Sequence, residues 1–594
     1  MLWGVPARGR KMQEKKMDRP MGNGNAGITA TTAVDPPTGA DAGFAGAELS
    51  RRHFVLGAGS ALVLGSTVGL GACGGGSDVD RQPFGYGVAS GDPLADRVII
   101  WTRANRLTEA VQLRWEVALD ASFSNMVTSG TVTADPAHDS TVKVDVTGLQ
   151  PATSYFYRFK NGSVLSETGR TRTLPAGSVE QVKLGVFSCA AYPIGQFHVY
   201  NHASNRSDLD AALMLGDYIY ESGLSDAEQL VARALGREVD PQGELHTLTD
   251  YRLLYQRYHT DADLRGLRRN VPLIGVWDDH EIVNDIWRDG AGGHDPATEG
   301  SFAARRAAAV QAYHEWMPTR TGADPLRIYR SFDFGNLLSL HMLDTRVIGR
   351  DAPTNRDPYL AGLADDPSRQ LLGTEQEAWL AARLQGSGAT WQVLGQQVVF
   401  GGMRIPLSVY DDFSEDAINA FLAALDTPDA SRTAAQRALV AQPRIGYELT
   451  NWDGFPAARE RVLAMAHATD KNLVVLSGDS HNAWAHDLRD TAGHRIGVEF
   501  ATPSVTSTGL EIKHPDVGRQ FLADSFVRMV PDLTYADTAR RGYVAVTFTP
   551  TSVTGEFVFV SSVFVNSYSA TVGPALQAQA GPAGRELTRL QPSA

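Results

Sequence analysis

The sequence predicts a chain in two parts, a small all-β sandwich followed by a larger α/β domain, and three observations carry that reading. Short apolar stretches alternate with turn residues between Phe84 and Pro175, apolar strands alternate with helical stretches from Val182 onward, and several of the later strands end in residues that ligate metal ions. Hydrophobic residues make up 43% of the 594 and charged residues 20%, a globular composition, while 58 Gly and 29 Pro promise many turns and long loops. The formal net charge of −13 gives a field that repels nucleic-acid backbones and gathers cations, so no nucleic-acid binding is expected.

Residues 1–49 are polar, rich in Gly and Ala and without periodicity. They read as a disordered leader or a start codon placed too early, with Met12, Met17 and Met21 as alternative starts. Ser50-Arg51-Arg52-His53-Phe54-Val55 and the uncharged stretch ending in Leu70-Gly71-Ala72-Cys73 resemble a twin-arginine export signal over 50–73. That stretch is too short and too rich in Gly and Ser for a permanent span. Its end also resembles a lipoprotein cleavage box, which makes Cys73 a candidate for lipidation. The expectation is export by the twin-arginine machinery to the periplasm or cell surface, with a lipid anchor on the membrane. With two cysteines in the chain, a lipidated Cys73 leaves Cys189 unpaired in an oxidising compartment. Twin-arginine export carries folded proteins, which fits a metal inserted before translocation.

After a linker at 74–82, the all-β domain is expected over 83–176. Val98-Ile99-Ile100-Trp101 reads as a strand, and Val111, Leu113, Trp115, Val117 and Leu119 alternate strictly, giving one buried face. A turn at Val146 to Pro151 precedes period-two aromatics through Phe159, as in a fibronectin-like sandwich whose Tyr155 forms a tyrosine corner. The α/β domain is expected over 180–566, with helices at Arg305–Trp316 and Glu375–Leu384. Tyr251–Tyr258 reads as a packed amphipathic helix rather than a basic-aromatic binding strip. Ser222–Thr249 and Asp351–Gln370 lack periodicity and read as surface excursions near the site. Residues 567–594 read as a tail or a short docking helix.

The chemistry sits at the strand ends. Val182–Phe187 runs into Ser188-Cys189, Ala211–Leu215 into Gly216-Asp217-Tyr218-Ile219-Tyr220-Glu221, and Pro272–Trp277 into Asp278-Asp279-His280-Glu281. Leu337–Leu343 runs into Asp344-Thr345-Arg346, and Leu473–Leu476 into Ser477-Gly478-Asp479-Ser480-His481. A single Asp after a strand is most often a turn or cap carboxylate, but five such ends supply hard oxygen ligands, a bridging carboxylate and softer donors for distinct cations. Cys189 is either a buried inert thiol or a thiolate ligand. No Gly-x-Ser-x-Gly follows a strand, which argues against a serine hydrolase.

Gly216-Asp217-x-x-Tyr220 resembles the purple-acid-phosphatase element within the calcineurin-like metallophosphoesterases. Phe84 to Pro93, Ile100 to Arg103, Phe187-Ser188-Cys189, Leu215 to Glu221, Trp277 to Glu281, Leu343 to Arg346, Asn451 to Pro456 and Ser477 to His481 together resemble the PhoD alkaline phosphatases. The resemblance implies a metallophosphoesterase-type β-sandwich flanked by helices, acting on phosphate-ester substrates. It implies Fe3+ among Cys189, Asp217, Tyr220 and His481, and Ca2+ facing Asp217, Asp279 and Asp479. Against the broad superfamily, Asp279 replaces Asn, Asp479 replaces the first His of a Gly-His-x-His motif, and Cys189 stands in the first motif. Oxygen ligands of this kind favour calcium over zinc. The usual intermediate His is not obvious, and Gln396 or Gln397 is a possible metal-ligating replacement.

His280 is the candidate general acid, with a purely orienting role as the alternative. Arg346 is a candidate phosphate clamp, with a surface salt bridge as its alternative. The expected reaction is in-line attack by a metal-held hydroxide without a phosphoenzyme. Two rival readings are a phosphodiesterase or phospholipase D acting on lipid headgroups, and a non-catalytic surface binding module suggested by the N-terminal sandwich.

Overall fold

The structure, a computed structural model, describes residues 78–590. The leader, the twin-arginine segment, Cys73 and the start of the linker lie outside the described residues. No helix among the described residues is long and apolar enough to cross a membrane.

In the N-terminal region, Val111–Ala118, Met126–Ala134, Ser154–Asn161 and Gly169–Arg172 pair antiparallel, and Val88–Gly91, Arg97–Arg103 and Thr141–Thr147 form a second layer. Val98, Ile100, Leu113, Val117, Tyr155, Tyr157 and Phe159 fill the space between them. Gln150 N donates to Tyr155 Oη at 2.8 Å, the geometry of a tyrosine corner. The alternating face ends sooner than its periodicity suggests. Leu119 lies past the strand end and is 44% exposed, because the chain turns there around Asp120, whose carboxylate accepts from the backbone N–H groups of Ser122, Ser124 and Asn125.

Two larger sheets form the rest. In one, Val182–Phe187, Ala211–Met214 and Leu273–Gly275 run parallel; in the other, Leu338–Met342, Trp391–Gly395, Asn472–Ser477 and Arg495–Ala501 do. Leu184 and Val186 of the first share one apolar core with Leu340, Val393, Val474 and Leu476 of the second. The opposite side chains, Leu394, Leu473 and Val475, pack with Leu380, Leu384, Val462 and Leu463 of helices Thr374–Gly386 and Pro456–Ala468. Burial on both faces is why these strands read as continuous apolar runs.

The sandwich and the first large sheet are continuous, since Val88–Gly91 lies parallel to Leu273–Gly275. Just past that strand Asp92 is fully buried. Its carboxylate accepts from Arg330 Nε at 2.9 Å and Nη2 at 2.6 Å, and from Arg320 N at 2.6 Å. Asp92→Ala leaves the largely buried Arg330 without its counter-charge and should cost about 3 kcal/mol. Guanidinium unfolding midpoints check this, and an unchanged midpoint would refute it.

Helices appear at Leu248–Tyr258, Phe302–Trp316 and Thr374–Gly386, bracketing the predicted stretches. Two expectations are corrected. The excursion at 222–249 contains a helix, Asp226–Leu235, opened by a capping box between Ser225 and Glu228; both that local signal and the helical spacing of Ala227, Leu230, Val231 and Leu235 were in the sequence. Over residues 567–590 the C-terminal segment forms strands rather than a tail or a docking helix. Ala570–Gln579 pairs with Ser552–Val560, and Thr588–Arg589 extends the same sheet. Its alternation is weak because a strand paired along only part of its outer side buries little of its length.

Candidate metal centre

The parallel strands of both sheets point their C-terminal ends to one place, and the residues just beyond those ends build the centre. Cys189, Asp217, Asp479 and His481 all adopt left-handed backbone, with φ of 60°, 54°, 61° and 61°. Such conformations are costly for side-chain-bearing residues and mark sites where the surrounding fold dictates side-chain direction. Gly216, at φ 102°, has no room for a Cβ, which would stand 2.3 Å from Asp278 Cβ.

Ligating atoms converge in three overlapping groups, each within 4.8 Å: Cys189 with Asp217 and His481, Asp217 with Asp279 and His280, and Asp278 with Asp279 and Asp479. Tyr220 joins the first group. Its Oη donates to Asp217 Oδ2 at 3.0 Å, lies 3.2 Å from His481 Nε2 and accepts from Ser507 Oγ at 2.7 Å. All six residues predicted as ligands therefore stand together, with Asp217 shared between groups.

Glu281 binds the loops to each other, accepting from the backbone N–H groups of Asp217, Tyr218 and Asp278. His481 Nδ1 donates to Thr508 O at 2.7 Å. A carbonyl only accepts, so the proton is on Nδ1 and the Nε2 lone pair faces Tyr220. Burial lowers the His481 pKa to about 4, keeping the ring neutral. His280 Nδ1 lies 2.7 Å from Glu221 Oε2, and Glu221 also accepts from Asn284 N. Burial works against the charged form of His280, but Glu221, Asp217 and Asp279 outweigh it and hold its pKa well above the usual range.

Arg346 is not at the surface. It is 1% exposed, donates to Asp278 and Asp479, and its Nη1 has no hydrogen-bond partner. The surface-salt-bridge alternative is thereby corrected, because the loop after Leu338–Met342 turns inward onto the carboxylates of the neighbouring strand end. Gln396 and Gln397 are also corrected. Gln396 spends its amide on Val398 O and accepts from Trp452 Nε1; Gln397 donates to Trp277 O and Leu343 O and accepts from Thr345. Both amides are engaged by the surrounding loops rather than turned to the ligand cluster. Asp278, Glu281, Glu221 and Ser507 were missed as functional candidates. The first three lie in quoted motifs, but spacing does not tell which of two adjacent aspartates faces which neighbour, and Ser507 lies in a polar loop with no periodic signal.

The donor set fits cations. Asp217 Oδ1 and Asp278 Oδ2 are buried without a hydrogen-bond partner, a costly state for a carboxylate that a bound cation relieves. Burial raises the Asp217 pKa well above the carboxylate range; His280 opposes this, and Asp279, Glu281 and Asp479 add to it. Burial likewise pushes up the Cys189 thiol, with Asp217 contributing.

Chelated protein should therefore lose stability as pH rises from about 6.5 to about 8. Burial raises Glu281 to about 8, against the backbone N–H groups that donate to its carboxylate, and His280 is held high as above. Groups with raised folded pKa stabilise fully below their unfolded values and lose that contribution as pH climbs through the folded ones. Asp479, raised by burial to about 6, acts in the same direction at lower pH. His481 acts oppositely, but only below its unfolded value. Thermal melts of chelated protein across this range check the slope, and a flat or rising curve would contradict it.

Two parallel-ended sheets packed face to face, flanked by helices, with an aspartate shared between clusters of metal-ligating side chains define a metallophosphoesterase, preceded here by a small all-β region. The PhoD-like phosphatase family matches residues 184–557, and its N-terminal domain matches residues 71–175. Alkaline phosphatase D of Bacillus subtilis (strain 168) is 34% identical over 527 residues, covering 84% of this chain and 82% of that protein. A solved structure of PhoD superposes with a TM-score of 0.71 at 32% identity, covering 88% of this chain and 94% of that one. The chain belongs to the PhoD-like phosphatase family and is a phosphoric ester hydrolase; the reading as a non-catalytic binding module is set aside.

Proposed function

We propose that the chain is an exported, metal-dependent phosphatase that hydrolyses phosphate monoesters and also accepts diesters. The observation that carries this is the convergence of six ligands around two buried, partnerless carboxylate oxygens. Cys189, Tyr220, His481 and Asp217 offer thiolate, phenolate, imidazole and carboxylate, a set that suits Fe3+, while Asp217, Asp279 and Asp479 offer the oxygens that suit Ca2+. Bound there, the cations would neutralise the phosphoryl oxygens and acidify the attacking water.

The chain's own residues do the rest. Glu221 fixes His280 through Nδ1, leaving Nε2 to deliver a proton to the departing oxygen. Arg346 Nη1, 3.8 Å from Asp279 Oδ2 and without a hydrogen bond, is the donor available to orient a phosphoryl oxygen, while Nε and Nη2 bridge Asp278 and Asp479. The Arg51-Arg52 segment and the Cys73 box support export and lipid anchoring at the cell surface.

Metal analysis coupled to monoester and diester assays tests the proposal. Iron and calcium in fixed ratio, with monoester turnover lost on chelation, is the expected result. Full turnover in metal-free protein would overturn it, and a dominant diester rate would favour the phosphodiesterase reading.

A further inference from the structure

A second group of ligating side chains stands at the other end of the second sheet. Asn472–Ser477 and Arg495–Ala501 run parallel with Leu473 opposite Gly497 and Ser477 opposite Ala501. Asp479 and His481 follow the C-terminal end of that pair, and His494 precedes its N-terminal end. The two places are separated by the length of the strands, roughly 15 Å at about 3.3 Å per residue.

At the N-terminal end, His467 in the last turn of helix Pro456–Ala468 meets Asp490 and His494 of the turn joining Ala483–Arg489 to Arg495–Ala501. One ligating atom from each lies within 4.8 Å of the others. Asp490 Oδ2 is 2.7 Å from His494 Nδ1 and 3.8 Å from His467 Nδ1, and the two rings are 4.4 Å apart between centroids. Around a tetrahedral ion with bonds of about 2.0 Å, donors stand about 3.3 Å apart. The two carboxylate–imidazole separations bracket that value and all three donors lie within 4.8 Å of one another, so an ion can replace the imidazole proton with small side-chain adjustments.

The arrangement is held without an ion. Asp490 also accepts from His494 N at 2.8 Å, and Gly493, at φ 85°, donates to Asp490 O, closing the turn. Glu460 of the same helix accepts from Thr491 N and Thr491 Oγ1, fixing helix against turn. The imidazoles are 47% and 55% exposed and the carboxylate 11%, so solvent reaches the donors while the bridging group stays enclosed. Two nitrogens and one oxygen are the wrong donors for calcium or magnesium and the right ones for a zinc-like ion.

We propose that His467, Asp490 and His494 form a second metal site that takes a divalent transition ion, Zn2+ by preference, and ties the end of helix Pro456–Ala468 to the adjoining turn. The ion stabilises the folded state by mass action and leaves the catalytic centre untouched.

The test uses the native, metal-loaded enzyme equilibrated with Zn2+, beside the double variant His467→Gln/His494→Gln and the single variant Asp490→Asn. Because zinc can also enter the catalytic centre, the difference between proteins is read rather than the total. The wild type should hold one more zinc per chain than either variant and should melt higher with zinc than without, while the double variant gains nothing. Cu2+ titrated into the wild type should give an electron paramagnetic resonance signal with coupling to two nitrogens that the double variant lacks. Phosphatase turnover should be the same in all three proteins. Equal zinc in wild type and double variant, or variants that lose turnover, would overturn the proposal.

Discussion

Asp217→Asn is expected to lower phosphatase turnover about 10³-fold, because losing proper cation placement removes several kcal/mol of transition-state stabilisation and each factor of ten corresponds to about 1.4 kcal/mol. The same change should have opposite effects on stability with and without metal. Asp217 is 2% exposed and its Oδ1 has no partner, so in the chelated wild type burial and the neighbouring carboxylates oppose its ionisation, a cost that Asn removes at nearly constant shape. The side-chain oxygen of Asn, placed where Oδ2 stands in the wild type, still accepts from Tyr220. Calorimetry should therefore rank the variant at or above the wild type after chelation, and below it when metals are bound. Full turnover in a well-folded variant, or the same ranking in both states, would defeat the bridging role.

His280→Gln should slow hydrolysis of an alkyl phosphate about 10²- to 10⁴-fold, the usual contribution of a positioned general acid. A p-nitrophenyl ester, whose leaving group departs without a proton, should lose far less. Glu221 bonded to Nδ1 and the surrounding carboxylates hold the ring in its protonated form, which suits a group that must still donate under alkaline conditions. Rates across leaving groups of graded acidity supply the measurement, with a steeper dependence expected in the variant. Equal losses for both esters would show that His280 orients other groups rather than delivering a proton.

Much of the fold and centre was legible because parallel strands buried on both faces leave uninterrupted apolar runs, and sites form where such runs stop. The stretches that bear Cys189, Asp217, Asp279, Asp479 and His481 could be picked out for that reason, and the family resemblance singled out those residues within them. The glutamines were misread for the same reason: Gln396 and Gln397 also follow a strand, yet their amides close hydrogen bonds to Val398, Trp277 and Leu343. Position after a strand gives location, and only partners in space give direction. The strand Ala570–Gln579 escaped notice because it is paired along only part of its outer side, and a half-exposed strand need not alternate cleanly.

From the sequence alone followed the two-part architecture, the strand ends that bear the chemistry and the types of donor they offer, since hydrophobic periodicity and residue identity are local properties. The tertiary structure alone decided that Asp278 grips Arg346 while Asp279 turns toward Asp217, that Glu281 ties the loops together, and that His467, Asp490 and His494 meet at all. The reason is physical: these outcomes depend on left-handed backbone at Cys189, Asp217, Asp479 and His481, and on hydrogen bonds between residues scores of positions apart, neither of which leaves a periodic trace along the chain.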